Sequence, residues 1–215
     1  MKSLSENQVA KQTSSNYTSS YIHPSDDVEK LMSDFDADML IHQMESLSVG
    51  QLIDYLKASH VYYLSKIVPE IEQSLMHVIS KHGQSHSILA GLALYFNTYK
   101  KKLVRHIQME EVHFFPFIEN MILAEKGELS QQDIEQLLSS GGIEYFEESH
   151  EAIEDELQVV YSMIKEITTK QDLVMPFEIF MNQVSRFEYE LRKHAIIEDM
   201  VLLKKATELE NKLRN

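Results

Sequence analysis

The chain has 215 residues and a formal net charge of −14 at pH 7. This charge argues against nucleic acid or an anionic membrane as a partner, because both would repel it. Cysteine is absent, which excludes disulfides, thiol catalysis, zinc–thiolate sites and iron–sulfur clusters held by this chain. Any metal must therefore be bound through nitrogen and oxygen.

The composition favours an all-α protein, since glycine (6) and proline (4) are scarce. No apolar run approaches the ~18–20 residues of a membrane span. The first residues contain no apolar stretch of the kind found in signal peptides, so we expect a cytoplasmic protein. Three parts are predicted: a flexible tail over 1–25, a helical extension over 26–47 and a helical bundle over 48–215.

The bundle is predicted to contain four longer helices and a short one. The longer helices are expected over 49–82, 85–125, 143–168 and 173–211, and the short one over 130–139. Ser48 and Gln51 form a candidate capping box at the first start. Pro69 should kink or break the first long helix, and Pro116 should bend the second near its end. Short connections make neighbouring helices antiparallel, which gives an up-down-up-down four-helix bundle with a short extra N-terminal helix.

A ligand-like pattern occurs twice along the chain. Each copy has a lone histidine followed, 44 or 46 residues later, by a His-x-x-x-Glu segment. The lone histidine recurs after 90 residues, and the histidine and glutamate of the segment each recur after 88. The residues concerned are His60, His106 and Glu110 in the first copy, and His150, His194 and Glu198 in the second. Four imidazoles and two carboxylates in two equivalent halves suggest the ligands of a two-metal site.

Helical periodicity predicts that all six residues face the interior of the bundle. Apolar residues recur at steps of three and four on each helix, and the six lie on those stripes. Burying them unpaired would cost several kcal/mol per ion, whereas two cations would satisfy all of them. Nitrogen and oxygen ligands without sulfur suit iron, manganese or zinc. Tyr63, one turn from His60, is a candidate for a hydrogen bond near the metals.

Other histidines are interpreted mainly as solvated. His77, His82 and His86 cluster near the turn between the first two long helices, with the alternative that one of them supplies a fifth nitrogen ligand. His113 lies about one turn beyond Glu110 and is a candidate outer partner of the metal ligands.

At these residues the chain resembles the hemerythrin-like (HHE cation-binding) family, most closely the repair of iron centres di-iron proteins. The resemblance covers about 48–210. It rests on the first histidine, His60, and on segments 106–116 (HIQMEEVHFFP), 147–150 (EESH) and 194–203 (HAIIEDMVLL). The chain departs from the family where the last segment has two leucines in place of Phe-Pro. It also lacks the cysteine-bearing N-terminal domain of many repair-type members.

The resemblance implies an oxo- or hydroxo-bridged pair of iron ions, with Mn or Zn as substitutes. Glu110 and Glu198 would be the bridging carboxylates, and the four histidines the terminal ligands. The implied function is a di-iron protein of the nitrosative and oxidative stress response. It would bind O₂, NO or peroxide and supply iron for iron–sulfur cluster repair, with an electron donor or an iron–sulfur protein as partner.

Three alternatives remain open at the level of sequence. The first is an oxygen-binding or sensing hemerythrin-like protein, although oxygen carriers of this family use five histidines. The second is a ferritin-like di-iron oxidase, whose Glu-x-x-His signature occurs here at 110–113 and 147–150 but not on the last helix. The third is a metal-free helical interaction module whose histidines are incidental or sense pH.

Overall fold

The computed structural model shows a protein whose described parts are helical and contain no strand. The structure describes residues 36–82, 88–139, 141–149, 153–157, 159–160, 163 and 175–215. The predicted tail (1–25) and most of the predicted N-terminal extension lie outside these residues. The all-α class is therefore confirmed for the described part of the chain, whereas the division into three parts stays a prediction.

The described part of the chain contains nine α-helices, three π-helical segments and one 3₁₀ helix. The α-helices are α1 (Ala37–Glu45), α2 (Val49–Tyr62), α3 (Val68–His82), α4 (Ile88–Met109), α5 (Phe115–Glu125), α6 (Gln131–Leu138), α7 (Gly142–Ser149), α8 (Met175–Ile196) and α9 (Leu203–Arg214). The π segments are π1 (Tyr63–Ile67), π2 (Glu110–Phe114) and π3 (Ile197–Leu202), and the 3₁₀ helix is Ile153–Glu156.

Each π segment joins two α-helices into one continuous helix. The three composite helices are α2–π1–α3, α4–π2–α5 and α8–π3–α9, and they agree with three of the four predicted long helices. Of the fourth, predicted over 143–168, the structure describes α7, the 3₁₀ helix and a few further residues. Pro69 and Pro116 are the second residues of α3 and α5, so neither proline breaks its composite helix, and a kink or bend at either stays a prediction.

Side-chain caps define where two of the helices begin. The Ser48 hydroxyl accepts a hydrogen bond from the Gln51 backbone N–H (3.3 Å), and the Gln51 side chain accepts one from the Ser48 N–H (2.9 Å). This confirms the predicted capping box, which satisfies two backbone donors at the start of α2. At the start of α6 the Ser130 hydroxyl accepts a hydrogen bond from the Asp133 backbone N–H (3.2 Å).

The apolar interior consists of two clusters of buried side chains. One cluster is formed mainly by α3, α4 and α8, and the other by α1, α2, α5 and α9. In each composite helix the π segment lies where one cluster gives way to the other. No helix in the described part of the chain combines the length and apolarity needed to cross a bilayer.

The buried carboxylate of Glu210 binds the backbone at the start of α7. The Ile143 backbone N–H donates to Glu210 Oε2 (3.1 Å), and Arg214 binds Oε1 of the same carboxylate. Gly142 lies beside this carboxylate. Its φ of 72° is a left-handed backbone conformation that is unfavourable for residues other than glycine. A Cβ atom at this position would also collide with Glu210 Oε1.

We predict that Gly142→Ala lowers the free energy of unfolding by about 1–3 kcal/mol, because it combines backbone strain with this collision. Chemical denaturation of the purified protein measures the effect. Gly50→Ala is the matched control, since its added Cβ would meet no atom within 4 Å and alanine favours a helix. Equal stabilities for the two variants would contradict the prediction.

Candidate metal centre

Five of the six predicted ligands converge at the boundary between the two apolar clusters. His60 on α2, Glu110 at the start of π2, and Glu198 on π3 are 1–2% exposed, and His194 on α8 is 6% exposed. His106, on α4, is half-buried. Candidate ligand atoms of His60, Glu110 and His194 lie within 4.8 Å of one another, as do those of His106, Glu110 and Glu198. Glu110 therefore belongs to both groups.

The two oxygens of Glu110 face different imidazoles. Oε2 lies 2.9 Å from His60 Nε2, and Oε1 lies 2.7 Å from His106 Nε2. A carboxylate placed in this way has one oxygen for each of two neighbouring cations. The second carboxylate is close by, with Glu198 Oε2 3.8 Å from His194 Nε2.

His150, the sixth predicted ligand, lies outside the described residues. The nearest described residue along the chain is Ser149, and Ile153 is the first one after it. Ile153 lines the same small cavity as His60, His106, His194 and Glu198.

Burial and hydrogen bonding act in opposite directions on the protonation of this site. Burial raises the pKa of Glu110, but hydrogen bonds with His106 and His60 outweigh it and hold that pKa well below its ordinary range. Burial lowers the pKa of His60, but the carboxylates of Glu110 and Glu111 outweigh it and raise that pKa. The carboxylate is therefore ionised, and its negative charge attracts a positive charge at the position where a proton or a metal ion would lie.

The outer nitrogens of two imidazoles are held by residues that the sequence analysis did not single out. His60 Nδ1 lies 2.9 Å from Glu111 Oε1, and His194 Nδ1 lies 2.7 Å from the Ser59 hydroxyl. Both Nδ1 atoms point away from the site, so the Nε2 atoms point into it, 3.2 Å apart. This is the orientation expected of histidines that bind a metal through Nε2.

Tyr63 contributes packing to the site. Its hydroxyl donates a hydrogen bond to the backbone oxygen of Glu190 (2.9 Å), and its ring meets that of His194 edge to face, with centroids 5.8 Å apart. Burial raises the pKa of Tyr63, so the phenol stays neutral. Tyr63 is buried in the first apolar cluster, and its side chain also hydrogen-bonds Ser59, the residue before His60. A hydrogen bond from Tyr63 near the metals stays a prediction.

A small, mainly apolar cavity adjoins the ligand atoms. Its volume is about 10 Å³, close to that of a single water-sized sphere. Besides the polar residues named above and Ile153, it is lined by Tyr63, Leu103, Ile107, Leu191 and Ala195.

The remaining histidines lie away from this centre where the structure describes them. His77 and His82 follow His60 by 17 and 22 residues on one continuous helix, which places them about 25 and 33 Å along it. A fifth nitrogen ligand from either is therefore wrong, and His86 lies outside the described residues. His113 is exposed and does not act as an outer partner. Its exposure also disfavours the ferritin-like alternative.

The three π segments were not predicted, and they coincide with the site. π2 begins at Glu110, π3 contains Glu198, and π1 begins three residues after His60. The backbone oxygen of Glu110 accepts a hydrogen bond from the N–H five residues later, at Phe115, and the oxygen of Glu198 does the same for Leu203. Such single widened turns are frequent at functional sites.

A widened turn also explains why the two prolines are tolerated. Proline has no N–H and collides with the carbonyl four residues earlier in a regular α-helix. Pro69 and Pro116 each come two residues after a π segment ends, where the turn is wider. In the first helix the inward stripe was expected to continue from Tyr63 to Ile67, but Val68 is the buried residue. Ile67 and Val68 are both apolar, so the sequence alone did not distinguish this step of five from a step of four.

Comparison with known proteins finds one distant similarity. Over 139 residues the chain is 24% identical to the iron-sulfur cluster repair protein YtfE of Yersinia pseudotuberculosis serotype IB (strain PB1/+). The matched part is 65% of this chain and 57% of the relative, so the chain spans a little over half of that protein's length. No family model and no solved structure matches the chain. The similarity supports a distant link to iron–sulfur cluster repair proteins.

We predict that deletion of Met200, an exposed residue of π3, leaves the protein folded. Removing one residue converts the π turn to an α turn. Counted from His194 in the shortened chain, the buried residues Glu198, Leu202, Ala206 and Leu209 then follow at steps of four, three, four and three, as in a regular α-helix. Circular dichroism and thermal unfolding measure the outcome.

Deletion of Arg186, an exposed residue within the regular helix α8, is the matched control. This deletion shortens the spacing between the inward residues Val184 and Phe187 from three residues to two. The apolar side chains on one side of the deletion are then rotated by about 100° around the helix axis relative to those on the other side. Each large apolar side chain displaced in this way loses roughly 1.5–3 kcal/mol of burial, so this variant should unfold. If the two deletions destabilise the protein equally, π3 is required for folding and the prediction is wrong.

Proposed function

We propose that this protein is a non-haem di-iron protein built on an up-down-up-down four-helix bundle of the hemerythrin-like kind. Its proposed metal ligands are His60, His106, Glu110, His150, His194 and Glu198. The observation that carries the proposal is the position of Glu110, whose two oxygens lie 2.9 and 2.7 Å from imidazoles of two overlapping donor groups.

The chemistry of the donors fits a pair of cations. Two carboxylates, of which Glu110 is ionised, and three imidazoles are concentrated in a volume from which water is largely excluded. Such groups are tolerated when they are paired or bind a metal. The His60 and His194 Nε2 atoms are 3.2 Å apart, so a single proton between them and Glu110 can hold the metal-free arrangement together. A metal ion would replace that proton. Imidazole and carboxylate ligands suit iron, with manganese or zinc as substitutes.

The proposed role of His150 comes from the duplication in the sequence. It lies 90 residues after His60, the same kind of offset that relates His106 to His194 and Glu110 to Glu198. With His150 each metal would have two histidines, and both carboxylates would be shared. Such a set leaves coordination positions open, in contrast to a closed structural site.

The proposed physiological role is in the nitrosative and oxidative stress response. The adjoining cavity is small and mainly apolar, which favours a ligand of the size of O₂, NO or peroxide. When bound, the iron pair would supply redox chemistry and an open position for such a ligand. The relative's name, an iron-sulfur cluster repair protein, supports iron supply to damaged clusters as the further role. The partners would then be an electron donor and an iron–sulfur protein.

We predict about two iron ions per chain after anaerobic reconstitution with Fe(II), measured by elemental analysis of desalted protein. His106→Ala and Glu198→Ala should each lose at least one of these ions, because a terminal or bridging donor is removed. Bound metal stabilises the folded state, by about 2.7 kcal/mol at 100 times its dissociation constant, so the added thermal stability should be lost as well.

His113→Ala is the control for this experiment. His113 lies on π2, three residues from Glu110, but its side chain is exposed, so the variant should keep the metal content of the unmodified protein. Far-ultraviolet circular dichroism establishes that each variant is folded before metal is added. An unmodified protein that binds no iron would overturn the proposal in favour of a metal-free helical module.

A further inference from the structure

Ser59 links the two halves of the candidate site. It directly precedes His60 on α2, and its hydroxyl oxygen lies 2.7 Å from Nδ1 of His194 on α8, 135 residues further along the chain. The same hydroxyl lies 2.7 Å from the backbone oxygen of Leu56. A carbonyl oxygen can only accept, so the hydroxyl proton of Ser59 is donated to Leu56. The oxygen of Ser59 is then the acceptor, and Nδ1 of His194 is the donor.

This direction of the hydrogen bond determines which nitrogen of His194 can bind a cation. Since Nδ1 carries the proton, a neutral His194 has its lone pair on Nε2. Nε2 is the atom that faces His60 Nε2 and Glu198. Ser59 therefore both orients the ring and keeps the proton on its outer side.

Glu111 acts on His60 in a corresponding way. Its carboxylate can only accept, so His60 Nδ1 is the donor in their 2.9 Å contact, and Nε2 faces the site. Glu111 is adjacent to Glu110, just as Ser59 is adjacent to His60. Each of these outer residues thus neighbours one candidate ligand in the chain and holds a second ligand on another helix.

The duplication in the sequence extends to these outer residues. Ser149 follows Ser59 by 90 residues, the offset between His60 and His150. Asp199 follows Glu111 by 88 residues, the offset between Glu110 and Glu198. A hydroxyl before the lone histidine and a carboxylate after the glutamate therefore occur in both copies.

We propose that Ser59 and Glu111 are positioning residues that hold His194 and His60 with Nδ1 protonated and Nε2 directed at the metal. This inference rests on the proposed function. Such outer partners fix the tautomer and ring orientation of histidine ligands, and losing one typically weakens metal binding by about 10–100-fold.

The test compares Ser59→Ala with Ser59→Thr, which keeps the hydroxyl. Fe(II) affinity is measured by competition with a chelator on the purified protein. We expect Ser59→Ala to bind Fe(II) about 10–100-fold more weakly, and Ser59→Thr to bind within a few-fold of the unmodified protein. Ser65→Ala is the matched control, because the exposed Ser65 makes the same kind of hydroxyl-to-backbone bond, to Val61, and has no hydrogen bond to a candidate ligand in the described part of the chain.

A second readout uses the metal-free protein and is independent of metal binding. In proton NMR spectra the hydrogen-bonded Nδ1–H of His194 should exchange slowly with water. Its exchange should become faster in Ser59→Ala and remain slow in Ser59→Thr and Ser65→Ala. A merely structural role of Ser59 would not give this pattern, since rescue by threonine requires the hydroxyl.

Glu111 is tested in the same two measurements. Glu111→Ala should weaken Fe(II) binding to a similar extent. Glu111→Gln keeps an oxygen that can accept the hydrogen bond, so its Fe(II) affinity should fall less. Glu119→Ala is the control, since Glu119 pairs with Lys57 at 2.6 Å, and both of those side chains are partly exposed.

The outcomes separate this inference from the proposed function. If the unmodified protein binds Fe(II) and Ser59→Ala binds it equally well, the positioning role is overturned and the metal site stands. If the unmodified protein binds no Fe(II), the proposed function fails and this inference fails with it. Unchanged exchange of the His194 Nδ1–H in Ser59→Ala would overturn the hydrogen bond on which the role of Ser59 is built.

Discussion

The placement of ionised Glu110 among imidazoles, at the boundary of two apolar clusters, is the constraint on which the rest of the structure depends. Its side chain is 1% exposed, and its oxygens lie 2.9 and 2.7 Å from His60 and His106. An isolated carboxylate in such surroundings would cost several kcal/mol, so positive charge must be held next to it. In the metal-free chain protons on imidazole meet this need, and bound cations would meet it more fully. Under the proposed function, metal ions would replace these protons.

The three π segments show how the helices accommodate this charge. A regular α-helix of this length would carry one uninterrupted apolar stripe, but each composite helix must interrupt its stripe with a polar donor and then return to the core. One extra residue in a widened turn does this without ending the helix. Candidate ligands and widened turns coincide most closely at Glu110 and Glu198. The backbone oxygen of each accepts a hydrogen bond from the N–H five residues later. Pro69 and Pro116 each follow a π segment by two residues, where the wider turn leaves room for the proline ring.

The site also explains how two halves of the chain act together. His60 and His194 lie on different helices, and in each case a residue from another helix contacts the outer ring nitrogen, Glu111 for His60 and Ser59 for His194. Loss of one outer residue therefore affects a ligand far away in the sequence. In the first copy of the duplicated motif, Ser59 and Glu111 each neighbour a candidate ligand in the chain and contact a candidate ligand on another helix.

Much of this organisation could be predicted from the sequence, because it depends on local rules. Helical periodicity, the caps at Ser48 and Ser130 and the spacing of four within each His-x-x-x-Glu segment are properties of a single helix. The inward position of His60, Glu110, His194 and Glu198 follows from those stripes alone. The structure brings these residues together, and the assignment of all six as metal ligands, including His150, remains a proposal.

What only the tertiary structure decided are the contacts between helices. The roles of Ser59 and Glu111 and the backbone partner of Tyr63 depend on how the helices pack. In a widened turn the backbone hydrogen bond spans five residues where an α-helix has four. A shift of one residue is too small to be recognised in the apolar periodicity of a long helix. The sequence by itself therefore determined the class of fold and the candidate donors, since both repeat with the helical period. Packing decided which nitrogen of each imidazole faces inward, because that depends on partners many residues away.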